Sequence, residues 1–276
     1  MKSSGIKILN KEHQAPDCFV DAKKTNYKTM KNKHKTLLFS LICTLSVLVG
    51  CKKYYMETGV HDPKYNGNIM QYMEEKKPFF DSTLTVIKLA GLADVISKEN
   101  ITFFAPPSGS IFKSIKRLNV QLRVTGKDTV SKLSQIKPVV WKNILSQYIF
   151  KGSNRLKDYP QRDTLSYLAF PGQGYASYGG RIMNIGVIFN DAVVYNSSGA
   201  EISRVSYAGY RQLWLAYIPD LSNPQVELVN IPVATSDIQP TNGVLHVLTK
   251  IDHNFGFNTN TFIEQAIAAG IDPATP

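Results

Sequence analysis

The chain has 276 residues, 43% hydrophobic and 19% charged, a globular composition that excludes a disordered, collagenous or coiled-coil protein. The net charge of +11 raises nucleic acid as a partner, but residues 1–50 hold nine Lys against three acids and so carry +6 of it. The remaining +5 is unexceptional, and no nucleic-acid partner is expected.

In chain order, residues 1–29 are polar and Lys-rich with no apolar period, and they are expected to be a non-native upstream extension, with Met30 rather than Met1 as the true start. Met30-Lys-Asn-Lys-His-Lys is a basic opening, and Leu37–Val49 follows without a charge. That apolar core is too short to span a bilayer, and together with the basic flank it describes a secretory signal over 30–50. The run closes on Leu48-Val49-Gly50-Cys51, which resembles the lipobox of bacterial lipoproteins. The resemblance implies that Cys51 is lipidated and becomes the mature N-terminus. It also implies a cell-envelope protein of a diderm bacterium, held at the outer membrane. Cys18 and Cys43 lie before the cut, so the mature chain is expected to have no disulfide and no cysteine metal site. Residues 51–67 read as a tether.

Asn68 can cap a helix carrying Ile69, Met70 and Met73. Asp81-Ser-Thr opens a second helix with Leu84, Ile87, Leu89 and Ala90, stopped by Gly91. Leu92–Ile96 forms a further helical turn. Ile101–Ala105 is a β-rich run ended by Pro106-Pro107, and Ser108 can cap a helix through Ile111, Phe112 and Ile115. Val139–Ile149 reads as a helix entering a strand. Arg181–Phe189, a turn at Asn190-Asp191 and Ala192–Tyr195 read as a hairpin. Leu213–Ile218 and 226–233 are further strands. Thr241-Asn242-Gly243 is a turn that wants positive φ, and 244–251 suits a strand covered on both faces. Thr261–Ala269 is a last helix, ended by Gly270 and assigned with the tail to 258–276. Helices come first and strands later, which predicts one α+β domain over 68–257.

Two segments resemble the fasciclin (FAS1) family. Asn100-Ile-Thr-Phe-Phe-Ala-Pro is similar to its first box, through Phe104, Ala105 and Pro106. Asn242-Gly-Val-Leu-His-Val-Leu is similar to its second box, through Asn242, Gly243 and His246. Leu92-Ala93-Asp94 resembles the helix end that precedes the first box. The resemblance implies a β-sandwich-like wedge with helices packed on it, serving adhesion or protein and glycan contact without general catalysis. Insertions relative to the family core are placed near 118–136, 170–180 and 208–226. The family's Tyr-His pair would fall at Tyr148-Ile149, where the His is missing, so integrin binding is not implied.

His246 invites a catalytic or metal role, but no second ligand sits at suitable spacing, so a backbone-bonded structural histidine is expected. Asp252 and His253 point to opposite faces of an extended chain and form no dyad unaided. No Gly-x-Ser-x-Gly or phosphate loop is present. Tyr175 and Tyr178, in a glycine-rich stretch, are the preferred candidates for ligand contact. Tyr207, Tyr210, Trp214 and Tyr217 fit either contact or a core strand. The expected function is a lipid-anchored envelope binding or adhesion module, with no enzyme activity, metal or cofactor, and with an unknown protein or glycan partner. The alternatives are an accessory glycan-binding lipoprotein of an outer-membrane nutrient-uptake system and, remotely, a hydrolase using His246 or His253.

Overall fold

A computed structural model describes residues 62–224, 227–251 and 253–273. The signal, the lipobox, Cys51, most of the expected tether and Asp252 lie outside the described residues. None of the described helices is long and apolar enough to cross a membrane.

The helices lead, as expected. Helix α1 (Ile69–Glu75) is closed at its start by a capping box, in which Asn68 accepts from the Gln71 amide and Gln71 accepts from the Asn68 amide. Helix α2 (Lys77–Leu89) begins a turn earlier than Asp81, because Pro78 sits in its first turn, where a fixed φ and a missing N–H do no harm. Its buried Phe80, Thr83, Leu84, Val86 and Ile87 form one stripe, and Gly91 at φ 66° ends the run. Helix α3 (Ala93–Lys98) then delivers the chain to strand β1 (Ile101–Ala105), whose bounds match the sequence expectation. Helix α4 (Ser108–Val124) runs well past Ile115 and takes in residues 118–124 of the first expected insertion. Ser108 does not cap it. Its hydroxyl accepts from the Ser82 amide at 3.0 Å and so ties α4 to α2.

Helix α5 (Pro138–Leu145) passes through a 3₁₀ turn into β2 (Ile149–Lys151), the expected helix-to-strand passage. The remaining strands are β3 (Gln161–Arg162), β4 (Gln173–Ala176), β5 (Ile182–Phe189), β6 (Ala192–Tyr195), β7 (Glu201–Val205), β8 (Arg211–Tyr217), β9 (Val229–Ile238) and β10 (Gly243–Leu248). Helix α6 (Thr259–Ala269) follows. The main sheet has the order β2-β1-β10-β9-β8-β5-β3, with β4 also on β5. Strands β1 and β10 are parallel, while β10, β9, β8 and β5 succeed one another antiparallel. Twice along their pairing β9 spends an extra residue against β10, with Asp237 at φ 65° in the first irregularity. Such bulges bend and twist a strand, and the sheet curls here. The result is an α+β fold.

One expected hairpin is corrected. Strand β5 does not pair with β6; it pairs with β8 over Met183–Phe189, while β6 pairs only with β7 in a separate two-stranded ribbon. The turn at 196–200 decides this. The Asn196 carboxamide accepts from the amides of Ser198 and Ala200, and Gly199 takes φ 82°. Asn190 is bonded to Tyr210 and Gly209, which closes the neck of the ribbon instead of turning it back on β5.

The core lies between the helices and the sheet. Trp141 of α5 packs on Phe255 and on Phe262 of α6 at 5.7 and 5.8 Å between ring centroids, so the last helix shares the core of the domain. At the other end, Tyr65 donates to Gln239 and Gln239 to Pro63 along the backbone, which docks residues 63–65 beside the end of β9.

Candidate functional site

The two sequence boxes meet. Parallel pairing sets Phe104 opposite His246 and Ala105 opposite Val247. The Phe104 and His246 rings lie 4.9 Å apart, and Thr83 donates to the carbonyl of buried Pro106 at 2.7 Å. Asn242 is the junction between helices and sheet. Its amide nitrogen donates to the carbonyls of Ile96 and Glu99 at 2.9 and 3.1 Å, and its oxygen accepts from the Ile69 amide at 2.8 Å. A β-carbon on Gly243, at φ 149°, would collide with the Ile101 carbonyl, so only glycine admits this approach of β10 to β1.

His246 is fully buried. The Asp237 amide donates to its Nδ1 at 3.2 Å, which leaves Nε2 protonated and donating to the Asn154 carbonyl at 3.1 Å. Burial pushes its pKa down to about 4. Both ring nitrogens of His246 are thus bonded to backbone groups.

His253 is also fully buried, but it finds a partner the sequence did not suggest. The Gly256 amide donates to the Tyr148 hydroxyl at 2.9 Å, and that hydroxyl stands 3.1 Å from His253 Nε2. Tyr148 stacks on Phe255 and Phe257, and burial lowers the His253 pKa to about 3. A tyrosine and a histidine separated by over a hundred residues are thus joined through the core. Neither His246 nor His253 reaches solvent, so neither can exchange a proton with a bound substrate in this conformation.

Tyr175 and Tyr178 are half-buried. Tyr175 packs edge-on against Tyr159 at 5.3 Å, and the Tyr178 hydroxyl donates to Glu99 at 3.1 Å. Of the later aromatics, Tyr217 is buried and stacked on Phe257, and Trp214 is half-buried, whereas Tyr210 is 69% exposed.

One group of exposed apolar side chains lies elsewhere. Val194, Tyr195, Ile202 and Val205 of the ribbon, together with Tyr207 and Tyr210 at its neck, all lie open to solvent. Across from them, Leu165 is 96% exposed. A groove of about 510 Å³ runs between these parts, lined by Leu165, Val193, Tyr195, Tyr207 and Tyr210, with Arg162 in its wall. Tyr207, at φ 59°, donates to Asp163 at 2.7 Å across the groove. Arg204 bridges Asp191 and Glu201 at 2.9 and 2.7 Å, and its guanidinium holds both carboxyls below the usual carboxylate range. Among the described residues, no group of three or more His, Cys, Asp or Glu side chains could hold a metal ion.

No family model matches the chain, and no curated protein matches it. Among solved structures, a FAS1 domain pair from the insect cell adhesion molecule fasciclin I overlays at a TM-score of 0.40 with 14% identity. The overlay covers 68% of this chain and 50% of that one, so the match spans half the length of that structure.

Proposed function

We propose that the chain is a lipid-anchored binding or adhesion module of the fasciclin type, working at the cell envelope without catalysis. The observation that carries this reading is the apolar rim around the ribbon groove. Tyr195, Tyr210 and Leu165 are 59%, 69% and 96% exposed around one concave surface. Exposed aromatic and aliphatic side chains set among polar groups on one concave surface suit an interaction site. The fasciclin assignment is supported by the parallel pairing of the two boxes and by the junction role of Asn242. Anchoring is supported by the basic flank, the short apolar core and Cys51. Several acyl chains hold firmly where one holds weakly, at about 0.8 kcal/mol per buried CH₂.

Crosslinking in intact envelopes followed by recovery of the chain tests the contact surface. The wild type is expected to retain a specific partner that the Tyr195→Ser, Tyr210→Ser double variant loses; equal recovery by both would remove the groove from the proposal. Palmitate labelling tests the anchor, with incorporation expected for the wild type and none for Cys51→Ala. A second reading, glycan capture for a nutrient-uptake system, is favoured by the tyrosines of the same groove, since flat aromatic faces suit sugar rings. A glycan array without hits, and unchanged growth on glycans after deletion, would reject it.

A further inference from the structure

Arg162, in the wall of the groove, is 1% exposed. Its Nη2 donates to Asn230 at 2.5 Å, while its Nε and Nη1 are buried with no partner. None of the ion pairs among the described residues includes it. Asn184 donates to the Pro171 carbonyl, and its buried Oδ1 is likewise without a partner. A guanidinium stays charged, and a buried charge lacking a counter-ion costs several kcal/mol.

The surroundings make room for this arrangement. A β-carbon on Gly186 would fall 2.5 Å from Arg162 Cβ. One on Gly172 would fall 2.8 Å from Asn184 Oδ1 and 3.2 Å from Arg162 Cδ. The two glycines therefore leave room for the Arg162 and Asn184 side chains to lie against the backbone there. Two grooves adjoin these residues, one of about 510 Å³ with Arg162 in its wall and one of about 480 Å³ with Tyr167 and Asn184 in its wall. Tyr167 lies 6.0 Å from the guanidinium carbon, and its neighbours Leu165 and Leu168 stand in solvent at 96% and 88% exposure. The segment is tied back by the Asp163 amide donating to the Phe170 carbonyl and by the Phe170 ring against Tyr207, and a ligand reaches the guanidinium only if Tyr167 turns aside.

We propose that Arg162 and Asn184 form a binding site for a carboxylate that carries a neighbouring hydroxyl, the pattern of a uronic acid. A carboxylate oxygen accepts a charge-assisted hydrogen bond from one of the unpartnered guanidinium N–H groups. The hydroxyl donates to Asn184 Oδ1, and the groove aromatics receive the ring faces. The proposal rests on the binding-module reading and names the ligand class. The Tyr195 and Tyr210 variants that test that reading leave Arg162 untouched, so the two can fail separately.

Calorimetry on the full chain in detergent, with galacturonic acid, its methyl ester, galactose, glycolate, sulfate and oligogalacturonate as probes, decides the matter. Galacturonate is expected to bind while the ester and galactose stay silent, and Arg162→Lys is expected to bind it at least tenfold more weakly. A gain from monomer to oligomer assigns a glycan as the source, and equal affinity of glycolate assigns a free hydroxy acid. Absence of heat with galacturonate, sulfate binding as tightly as galacturonate, or undiminished binding by Arg162→Lys would each overturn the site. Should Arg162→Lys fail to fold, the probe series on the wild type still decides.

Discussion

Strands β10 and β7 differ in how they are held. All six residues of β10 are buried, between β1 on one side and β9 on the other. All five residues of β7 are exposed, and β6 is their one strand partner. A buried Val or Leu contributes about 1.5–3 kcal/mol, so β10 is held by its surroundings. An isolated two-stranded ribbon is marginal in water, and β6–β7 relies on a side-chain-bonded turn, the Arg204 ion pairs and the bonds at its neck. The contrast teaches where stability and contact reside. The apolar side chains of β10 are used up in folding, whereas those of the ribbon are left available.

The contrast is broken most severely at Gly243. Gly243→Ala combines a backbone collision with strain at positive φ and is expected to cost roughly 3–5 kcal/mol, read as a lowered urea midpoint. Asn242→Ala removes three hydrogen bonds between helices and sheet and should cost about 3 kcal/mol. A wild-type midpoint in either variant would show that the β1–β10 junction is not what holds the two layers together.

Acid acts on the same buried region. The folded pKa values of His246 and His253, about 4 and about 3, lie below the ordinary histidine value of 6.5. The folded state therefore binds fewer protons than the unfolded chain in that interval. Stability from this source is whole above about pH 6.5, declines as the pH falls, and is lost through pH 4 to 3, with roughly 3 kcal/mol at stake for His246 and roughly 5 kcal/mol for His253. Urea midpoints measured from pH 7 to pH 3 should fall steeply in the wild type and less steeply in His246→Asn; parallel slopes would contradict this. Tyr148→Phe strips the Gly256 amide and His253 Nε2 of their partner and should cost about 2 kcal/mol, measured at pH 7. The smallest effect belongs to the ribbon. Ile202→Ser, at a site 64% exposed, should leave stability within about 0.5 kcal/mol. A larger loss would mean that the ribbon is built into the core after all.

What could be read from the chain follows the same division. Strand β1 and the turn before β10 were legible because Pro106 and Gly243 punctuate them locally. The Asn68 cap and the stop at Gly91 were legible for the same reason. The partner of β5 was not, since Asn190-Asp191 has the composition of a hairpin turn, and only the bonds from Asn190 to Tyr210 and Gly209 show that it forms the neck of a ribbon. Arg162 looks in sequence like a solvated loop charge between Pro160 and Asp163. Nothing near it signals that Gly172 and Gly186 open a space for its side chain. The meeting of Tyr148 with His253 has no local signature either.

The sequence by itself determined the bounds of β1, the turn before β10, the α+β order of the elements, and which strand would be covered on both faces. Those properties depend on φ preferences, caps and apolar periodicity within a few residues. Tertiary structure decided which strands pair, which histidine meets which tyrosine, and which arginine loses its solvent. Each of these depends on bringing distant segments together, and no local pattern encodes the loop closure and burial that select the partner.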